Sequence, residues 1–238
     1  MAFDPGVRQY MRFAFYKFAQ SWHLLDDGAR REALDELESV LAAPVAPWQL
    51  CYSLVGLRAD VDFGVWLRTP EGPGPLQEFE RRIRACAAGD HLVLMHNYIS
   101  MTKPSPYAHP ETDAEREKQR AYPDGAPYVF VYPMVKTRAW YTLTPAERAR
   151  IMREHVAVGH NYPRIRINTS YSYGLDDQEF VLAFEGTDPA EFLDLVSDLR
   201  YTEASSYTLR DTPMFTCVLR SPAELAAEFA RGALVEAR

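Results

Sequence analysis

The sequence predicts an α+β protein made of two consecutive ferredoxin-like halves, each with the element order β-α-β-β-α-β. Three observations favour this fold class. Alternating apolar stretches typical of strands interleave with helix-type apolar spacing, the same order occurs twice, and a short sequence of the first half recurs in the second. With 238 residues, 47% of them hydrophobic, the chain is long enough for a substantial core.

The first half begins with an alternating strand at residues 9–18, followed by a helix that Asp26 or Asp27 can cap. Pro44 and Pro47 end this helix, whose apolar residues recur at three- and four-residue steps. The remaining elements are strands at about 49–55 and 61–68, a helix at about 75–87 closed by Gly89, and a strand at 91–100.

The second half repeats this order. Thr144-Pro-Ala-Glu147 is a capping box with proline at the first helical position, and it predicts where a helix begins. Tyr171-Ser-Tyr-Gly-Leu175 echoes Tyr52-Ser-Leu-Val-Gly-Leu57 of the first half. The predicted elements are a strand at 128–135, a helix at 145–158, strands at 165–173 and 179–185, a helix at 189–199 and a strand near 214–220.

This organisation divides the chain into a first ferredoxin-like half at 1–102, an inter-half loop at 103–127 and a second ferredoxin-like half at 128–238. The loop contains five prolines and the charged run 113–120. It is either a solvated linker or a lid over a pocket.

Composition excludes several classes of protein. A formal net charge of -7 disfavours binding to a phosphate backbone, so we expect no nucleic-acid partner. Cys51, Cys86 and Cys217 are far apart and lack CxxC spacing, which indicates buried core thiols rather than a disulfide framework or a zinc site. We expect a cytoplasmic protein without a membrane partner, since no stretch approaches about 18 consecutive apolar residues and the N-terminus does not resemble a signal peptide.

One histidine of the second half lies on the apolar face of a predicted helix. Ile151, Met152, His155 and Val158 follow each other at three- and four-residue steps, which turns His155 towards the sheet. It is either a hydrogen-bonded core residue or an axial ligand of haem iron. His160 follows Gly159 and is expected on the turn that leaves the helix.

The strand before that helix carries polar groups on one face. Tyr132, Met134 and Lys136 share this face by alternation, and we expect the strand to continue to Trp140 and Tyr141. A phenol and a cation beside a pocket suit an acidic substrate.

Three stretches of the second half form a combined motif: Tyr-Val-Phe-Val-Tyr-Pro-Met-Val-Lys-Thr-Arg-Ala-Trp-Tyr141, Arg-Ile-Met-Arg-Glu-His155 and Gly-Leu-Asp-Asp-Gln-Glu-Phe180. Together they resemble the chlorite dismutase superfamily, and within it the coproheme decarboxylases of bacterial haem synthesis. The resemblance implies a dimeric α+β barrel-type architecture, a homopentamer, and haem or coproheme in the second half only. It also implies that His155 is the proximal iron ligand.

The activity that the resemblance implies is peroxide-dependent oxidative decarboxylation of iron coproporphyrin III (coproheme) to haem b. The porphyrin is then substrate and its own cofactor, hydrogen peroxide is the oxidant, and a ferrochelatase is a candidate partner. Tyr132 matches the family's radical tyrosine, and Lys136 matches the cation that holds a reactive propionate. The further matches in the porphyrin pocket are Met134 and Trp140, and Arg200 and Ser205 as anchors of another propionate.

The sequence departs from relatives on the distal side of the porphyrin. Where actinobacterial relatives have a distal histidine, counting from Tyr132 reaches Glu115, and His109 is the nearest histidine. Chlorite-degrading members use an arginine on the strand after the proximal helix; counting from His155 reaches Asn168, and an amide favours decarboxylation. A haem peroxidase or chlorite dismutase of the same fold, or a non-catalytic haem-binding or assembly protein, are the alternatives.

Overall fold

A computed structural model describes residues 7–107 and 125–230 of the chain. The described residues follow the β-α-β-β-α-β order twice, so the predicted α+β class with ferredoxin-like halves is confirmed. The candidate distal residues Glu115 and His109 lie outside the described residues. No helix in the described part of the chain is long and apolar enough to cross a membrane.

The first six elements are close to those predicted. They are β1 (Tyr10–Phe18), α1 (Asp27–Ala42), β2 (Trp48–Ser53), β3 (Phe63–Thr69), α2 (Gly74–Ala85) and β4 (Leu92–Met101). Of the two capping candidates, Asp26 is the N-cap of α1 and accepts a hydrogen bond from the Ala29 N–H at 2.8 Å. The strands follow the spatial order β4-β1-β3-β2, which is the order of a ferredoxin-like sheet.

The remaining elements include three short ones that the sequence did not predict, α3, β8 and α6. The full set is β5 (Tyr128–Lys136), α3 (Arg138–Thr142), α4 (Pro145–His160), β6 (Arg166–Tyr171), β7 (Phe180–Gly186), α5 (Pro189–Arg200), β8 (Thr208–Arg210), β9 (Phe215–Arg220) and α6 (Pro222–Glu228). The capping box of Thr144 and Glu147 at the start of α4 is present as predicted.

The chain forms two compact units. One consists of Gln9–Ile99 and of residues 217–230, because β9 pairs with β2 through Cys51 and Arg220. The other consists of Ser100–Thr216 with the residues before Gln9, as far as these are described. The three cysteines are buried and free, as predicted.

In the unit built on Gln9–Ile99, side chains fill the space between the sheet and helices α1 and α2. Tyr16 of β1 stacks on Phe63 with ring centroids 5.1 Å apart, and Phe18 stacks on Trp22 at 4.3 Å. Leu37 of α1 lies in the same core and is fully buried. Burial of these aromatic side chains stabilises the unit mainly through the hydrophobic effect.

Helix α2 ends at Ala85, two residues before the predicted end, because Cys86 is already extended. Gly89 does not close this helix but lies in the following 3-10 turn, where an added Cβ would be 2.2 Å from the Ile83 carbonyl oxygen. We expect Gly89→Ala to lower the free energy of unfolding by about 2–3 kcal/mol, as for other forced overpacking. Urea unfolding measures this, with Gly74→Ala as the control because its Cβ would meet nothing within 4 Å; equal stabilities would contradict the prediction.

The sheet of the unit built on Ser100–Thr216 has the strand order β6-β7-β5-β8, and its two faces differ. Tyr132 pairs with Leu182, which pairs with Thr169, so these three side chains share a face. Helix α5 covers that face through Leu195, which lies in one core cluster with Tyr132. On each of the three strands, the residues immediately before and after these paired residues point to the opposite face of the sheet.

Strand β5 ends one residue after the predicted 128–135 and does not show the continuation to Trp140 and Tyr141 that was also expected. It stops at Lys136, and Thr137 turns the chain by donating its N–H to the Tyr207 carbonyl at 2.8 Å. Trp140 and Tyr141 therefore lie on helix α3 rather than on a continuation of the strand. Helix α4 in turn continues through His160, which is exposed, so the prediction of a turn at His160 was wrong.

Candidate functional site

Tyr132 is a buried phenol on the face of β5 that is covered by helix α5. Its side chain is 7% exposed, and its ring stacks on Phe184 with a centroid separation of 5.7 Å. Burial and, to a smaller extent, the Asp211 carboxylate raise the pKa of Tyr132 above its usual range, while Arg200 acts in the opposite direction. The phenol therefore keeps its proton at neutral pH.

Lys136 is a buried cation at the end of β5. Its ammonium donates to the Ala204 carbonyl at 3.1 Å and to Thr208 Oγ1 at 3.4 Å, and its backbone N–H donates to Glu179 Oε2 at 2.7 Å. Burial lowers the pKa of Lys136 to about 8. An ammonium has three N–H donors, and two of those of Lys136 bond to neutral oxygens. A carboxylate would accept from the third donor and would also neutralise the charge.

Trp140 provides an aromatic wall beside that cation. The Lys136 ammonium lies 5.1 Å from the centroid of the Trp140 ring, which is within range of a cation–π interaction. Trp140 is 4% exposed and packs at 5.4 Å against Tyr207 and in a cluster with Ile151 of α4. Helix α3 thus brings the indole next to both strand β5 and helix α4.

His155 is half-buried on helix α4, and its ring contacts Thr202. The hydroxyl of Thr202 lies 2.8 Å from the Leu199 carbonyl, to which it can donate its single proton. In that arrangement the Thr202 oxygen accepts from His155 Nδ1 at 3.3 Å, which corresponds to the tautomer with its proton on Nδ1. Nε2 is left with the lone pair that a metal ligand needs.

Electrostatics also keep this imidazole neutral. Burial, and then the nearby Lys136 ammonium, lower the pKa of His155 to about 4. The imidazole is therefore uncharged at neutral pH, as iron ligation requires. His155 and the β5 cation contact neighbouring residues of one segment, because His155 contacts Thr202 and the Lys136 ammonium donates to Ala204.

Arg200 and Ser205 lie close together after helix α5. The Arg200 guanidinium forms an ion pair with the Asp211 carboxylate. Ser205 donates its hydroxyl proton to the backbone carbonyl of Arg200 at 2.9 Å, and its oxygen can still accept. Asp211 connects this pair to the rest of the cluster, because its charge acts on both Tyr132 and Lys136.

The predicted site residues Met134 and Asn168 have different positions. Met134 is partly buried and packs against the core cluster that contains Tyr132. Asn168 instead pairs with Ala183, in the row next to that of Tyr132, and points to the opposite face of the sheet. There its Nδ2 donates to Glu185 Oε2 at 3.0 Å, so Thr169 takes the place on β6 that Asn168 was expected to occupy.

Four groups of the cluster were not predicted as site residues: Thr202, Thr208, Asp211 and the Ala204 carbonyl. All four belong to the segment between α5 and β9, in which only Ser205 was predicted as a site residue, with Arg200 at the end of α5. Glu179 is part of the motif that ends in Phe180, but the sequence did not predict that its carboxylate accepts a hydrogen bond from the Lys136 backbone N–H. No local sequence pattern indicates these residues, because their partners in the cluster are distant in the sequence.

Taken together, the residues fit an iron porphyrin with carboxylate side chains. His155 offers a neutral nitrogen lone pair, Lys136 and Arg200 offer cations, and Trp140 offers an aromatic surface. A protonated phenol, Tyr132, lies in the same cluster.

A sequence profile described as chlorite dismutase matches residues 30–220, which is most of the chain. The chain belongs to the chlorite dismutase family. The resemblance proposed from its motifs is therefore confirmed. Among curated proteins, this family member is 31% identical to a coproheme decarboxylase of Mycolicibacterium smegmatis over 165 residues, which cover 69% of this chain and 70% of that protein.

Solved structures support the same fold for this chlorite dismutase family member. A variant of the chlorite dismutase of Candidatus Nitrospira defluvii superimposes with a TM-score of 0.84 at 21% identity, covering 94% of this chain and 95% of that one. A haem-binding protein of Thermus thermophilus superimposes with a TM-score of 0.80 at 25% identity, covering 93% of this chain and 94% of that one.

Proposed function

We propose that the protein converts iron coproporphyrin III to haem b by peroxide-dependent oxidative decarboxylation. The observation that carries this proposal is the buried, protonated Tyr132 in one cluster with two cations and a neutral histidine. The relative named coproheme decarboxylase supports it.

The overall chemistry balances with one peroxide for each propionate. A propionate becomes a vinyl group by losing carbon dioxide, one proton and two electrons, and hydrogen peroxide takes up two electrons and two protons to give two waters. Bound iron supplies the oxidising power of peroxide. Because Tyr132 stays protonated, its phenol gives up an electron and a proton together, and the resulting radical takes hydrogen from the propionate β-carbon.

The cations would orient the substrate. The third donor of Lys136 holds the reactive carboxylate near the phenol, and the Arg200 guanidinium holds another. Ser205 joins Arg200 when its hydroxyl turns from the Arg200 carbonyl to donate to that carboxylate. Below a pH of about 8 the Lys136 ammonium keeps its charge, so this role is available at neutral pH. The Trp140 ring packs beside this cation and limits its access to water.

Thr202 is expected to orient the proximal histidine. We predict that Thr202→Val weakens binding of iron coproporphyrin III about 10-fold, in line with the loss of other outer-shell partners of metal ligands. Optical titration measures this. Thr142→Val is the control, because its hydroxyl donates to Ala139 at the end of α3 instead; equal affinities of the two variants would contradict the role of Thr202.

The arrangement of β6 favours decarboxylation over chlorite chemistry. The family resemblance implies a distal arginine on this strand in chlorite-degrading members. In this chain the β6 residue that lies on the same face as Tyr132, in line with it across the sheet, is Thr169. Arg166 pairs with Glu185 and lies in a row that faces away from Tyr132. This placement supports a decarboxylase, and a chlorite dismutase remains the competing outcome of the experiment.

The experiment is anaerobic loading with iron coproporphyrin III, followed by titration with hydrogen peroxide while porphyrin mass and visible absorption are recorded. Stepwise loss of two carboxyl groups to give haem b is the expected result. Tight binding with only bleaching or peroxidase turnover would favour a haem peroxidase or chlorite dismutase. Absence of binding would favour a protein that has lost the cofactor.

We further propose that porphyrin binds only in the second half of the chain, and that the protein works as a cytoplasmic homopentamer. All the clustered candidate residues belong to the unit built on Ser100–Thr216. Sedimentation of the porphyrin-loaded protein tests the oligomeric state, and one porphyrin per chain is the expected stoichiometry.

A further inference from the structure

A carboxylate of the chain itself lies among the cations of the candidate site. Asp211 follows β8, which pairs with the end of β5 through Arg210 and Val135 and through Thr208 and Lys136. This pairing brings Asp211 beside the strand that carries both Tyr132 and Lys136. The Asp211 side chain is largely buried, with 19% of it exposed, and its carboxylate is in an ion pair with Arg200.

The charge of Asp211, placed by the β8 pairing and by its ion pair with Arg200, also acts on other groups of the cluster. The Asp211 carboxylate acts electrostatically on Tyr132 and also on the Lys136 ammonium. The ammonium itself donates to neutral oxygens of Ala204 and Thr208. Among the described residues, Asp211 is therefore the carboxylate that pairs with Arg200 and also influences the lysine.

We propose that Asp211 is a specificity-determining residue that competes with a substrate carboxylate for Arg200. This inference rests on the proposed function, because it assumes that a porphyrin carboxylate approaches the same guanidinium. In the free protein Asp211 neutralises a half-exposed cation. An incoming carboxylate must displace it or bind beside it, and two like charges at one guanidinium disfavour each other.

The competition has a consequence for selectivity. A ligand gains binding free energy at Arg200 only if its own carboxylate interacts with the guanidinium more favourably than Asp211 does. A porphyrin with an uncharged group at this position gains none and therefore binds more weakly. Asp211 also returns to Arg200 when a ligand leaves, so that the cation never remains unpaired. Asp211 thus lowers the affinity for every porphyrin and increases the preference for porphyrins with a carboxylate at this position.

The test is the dissociation constant of iron coproporphyrin III without peroxide, so that no turnover occurs. Asp211→Asn keeps the shape and an acceptor but removes the charge, and it should tighten binding about three- to tenfold. A second charge-removing variant, Asp211→Ser, should show the same gain. Glu191→Gln is the matched control: Glu191 pairs with Arg164 in the same unit, away from the cluster, and its loss should change binding less than about twofold.

A double-mutant cycle tests whether the effect passes through Arg200. In an Arg200→Gln background, Asp211→Asn should no longer tighten binding, because there is no guanidinium to compete for. A gain that persists in this background would overturn the inference, as would affinity that is unchanged or weakened by both charge-removing variants.

Failure of this inference differs from failure of the proposed function. If wild-type protein binds iron coproporphyrin III and decarboxylates it, but Asp211→Asn changes nothing, only the inference fails. If the variants show the expected gain but peroxide produces no haem b, only the proposed function fails. Absence of porphyrin binding to every variant would overturn both.

Discussion

Iron coproporphyrin III will bind the His155→Ala variant about 100-fold more weakly than the wild-type protein, and its iron will lose the spectrum of a nitrogen-ligated state. The reason is that His155 presents a neutral imidazole whose Nδ1 proton is held by Thr202, which leaves Nε2 free to bind metal. Optical titration gives the affinity. Addition of free imidazole should restore the wild-type spectrum by filling the space of the deleted ring.

The matched control is His160→Ala. His160 lies on the same helix α4 but is exposed at its last turn, so its removal should leave porphyrin affinity within about twofold of wild type. If the two variants bound equally well, or if only the His160 variant lost the nitrogen-ligated spectrum, the assignment of the proximal ligand would be wrong.

Much of the fold could be predicted because local chemistry and tertiary structure agree. The Thr144 capping box defines the start of α4, and the alternation in β5 defines one face of its sheet. The end of β5 could not be predicted in this way. Thr137 leaves the strand because its N–H bonds to Tyr207, some 70 residues later, and no pattern near Thr137 contains that information.

Part of the candidate site was predictable because its residues follow a local pattern along one strand. Tyr132 and Lys136 are four residues apart on one strand, so a period of two predicts that they share a face. The register of β5 against β8 shifts between Val135 and Lys136, which the alternation does not predict. The position of Asn168 was a matter of register: counting from His155 passes through a turn of unknown geometry, and an error of one residue moves a side chain to the other face of the sheet. Thr202 and Asp211 have no such local signal, since each contacts residues far away in the sequence.

The two ferredoxin-like units show why similar elements differ in chemistry. In the unit built on Gln9–Ile99, the buried Arg12 is neutralised by Glu80 at 2.7 Å, so the cation has an internal partner. In the unit built on Ser100–Thr216, the buried Lys136 donates to neutral oxygens, and burial lowers its pKa. A buried cation without a carboxylate in direct contact is costly, so it gains most from an anionic ligand.

Replacing Tyr132 with phenylalanine should slow decarboxylation at least about 1,000-fold, equivalent to about 4 kcal/mol in the barrier, while iron coproporphyrin III still binds. The ring of Tyr132 packs against Phe184, and phenylalanine keeps that packing. What is lost is the O–H bond, and with it the group that can pass on an electron and a proton together. Product mass after peroxide addition and optical titration measure the two effects separately.

Tyr128→Phe is the control for Tyr132→Phe, because Tyr128 lies on the same strand and packs against the same core cluster. Removing its hydroxyl should leave the yield of haem b within about twofold of wild type. If the Tyr132 variant formed haem b at the wild-type rate, the phenol would have no part in hydrogen transfer. A loss of activity in both variants would instead point to a general effect on this face of β5.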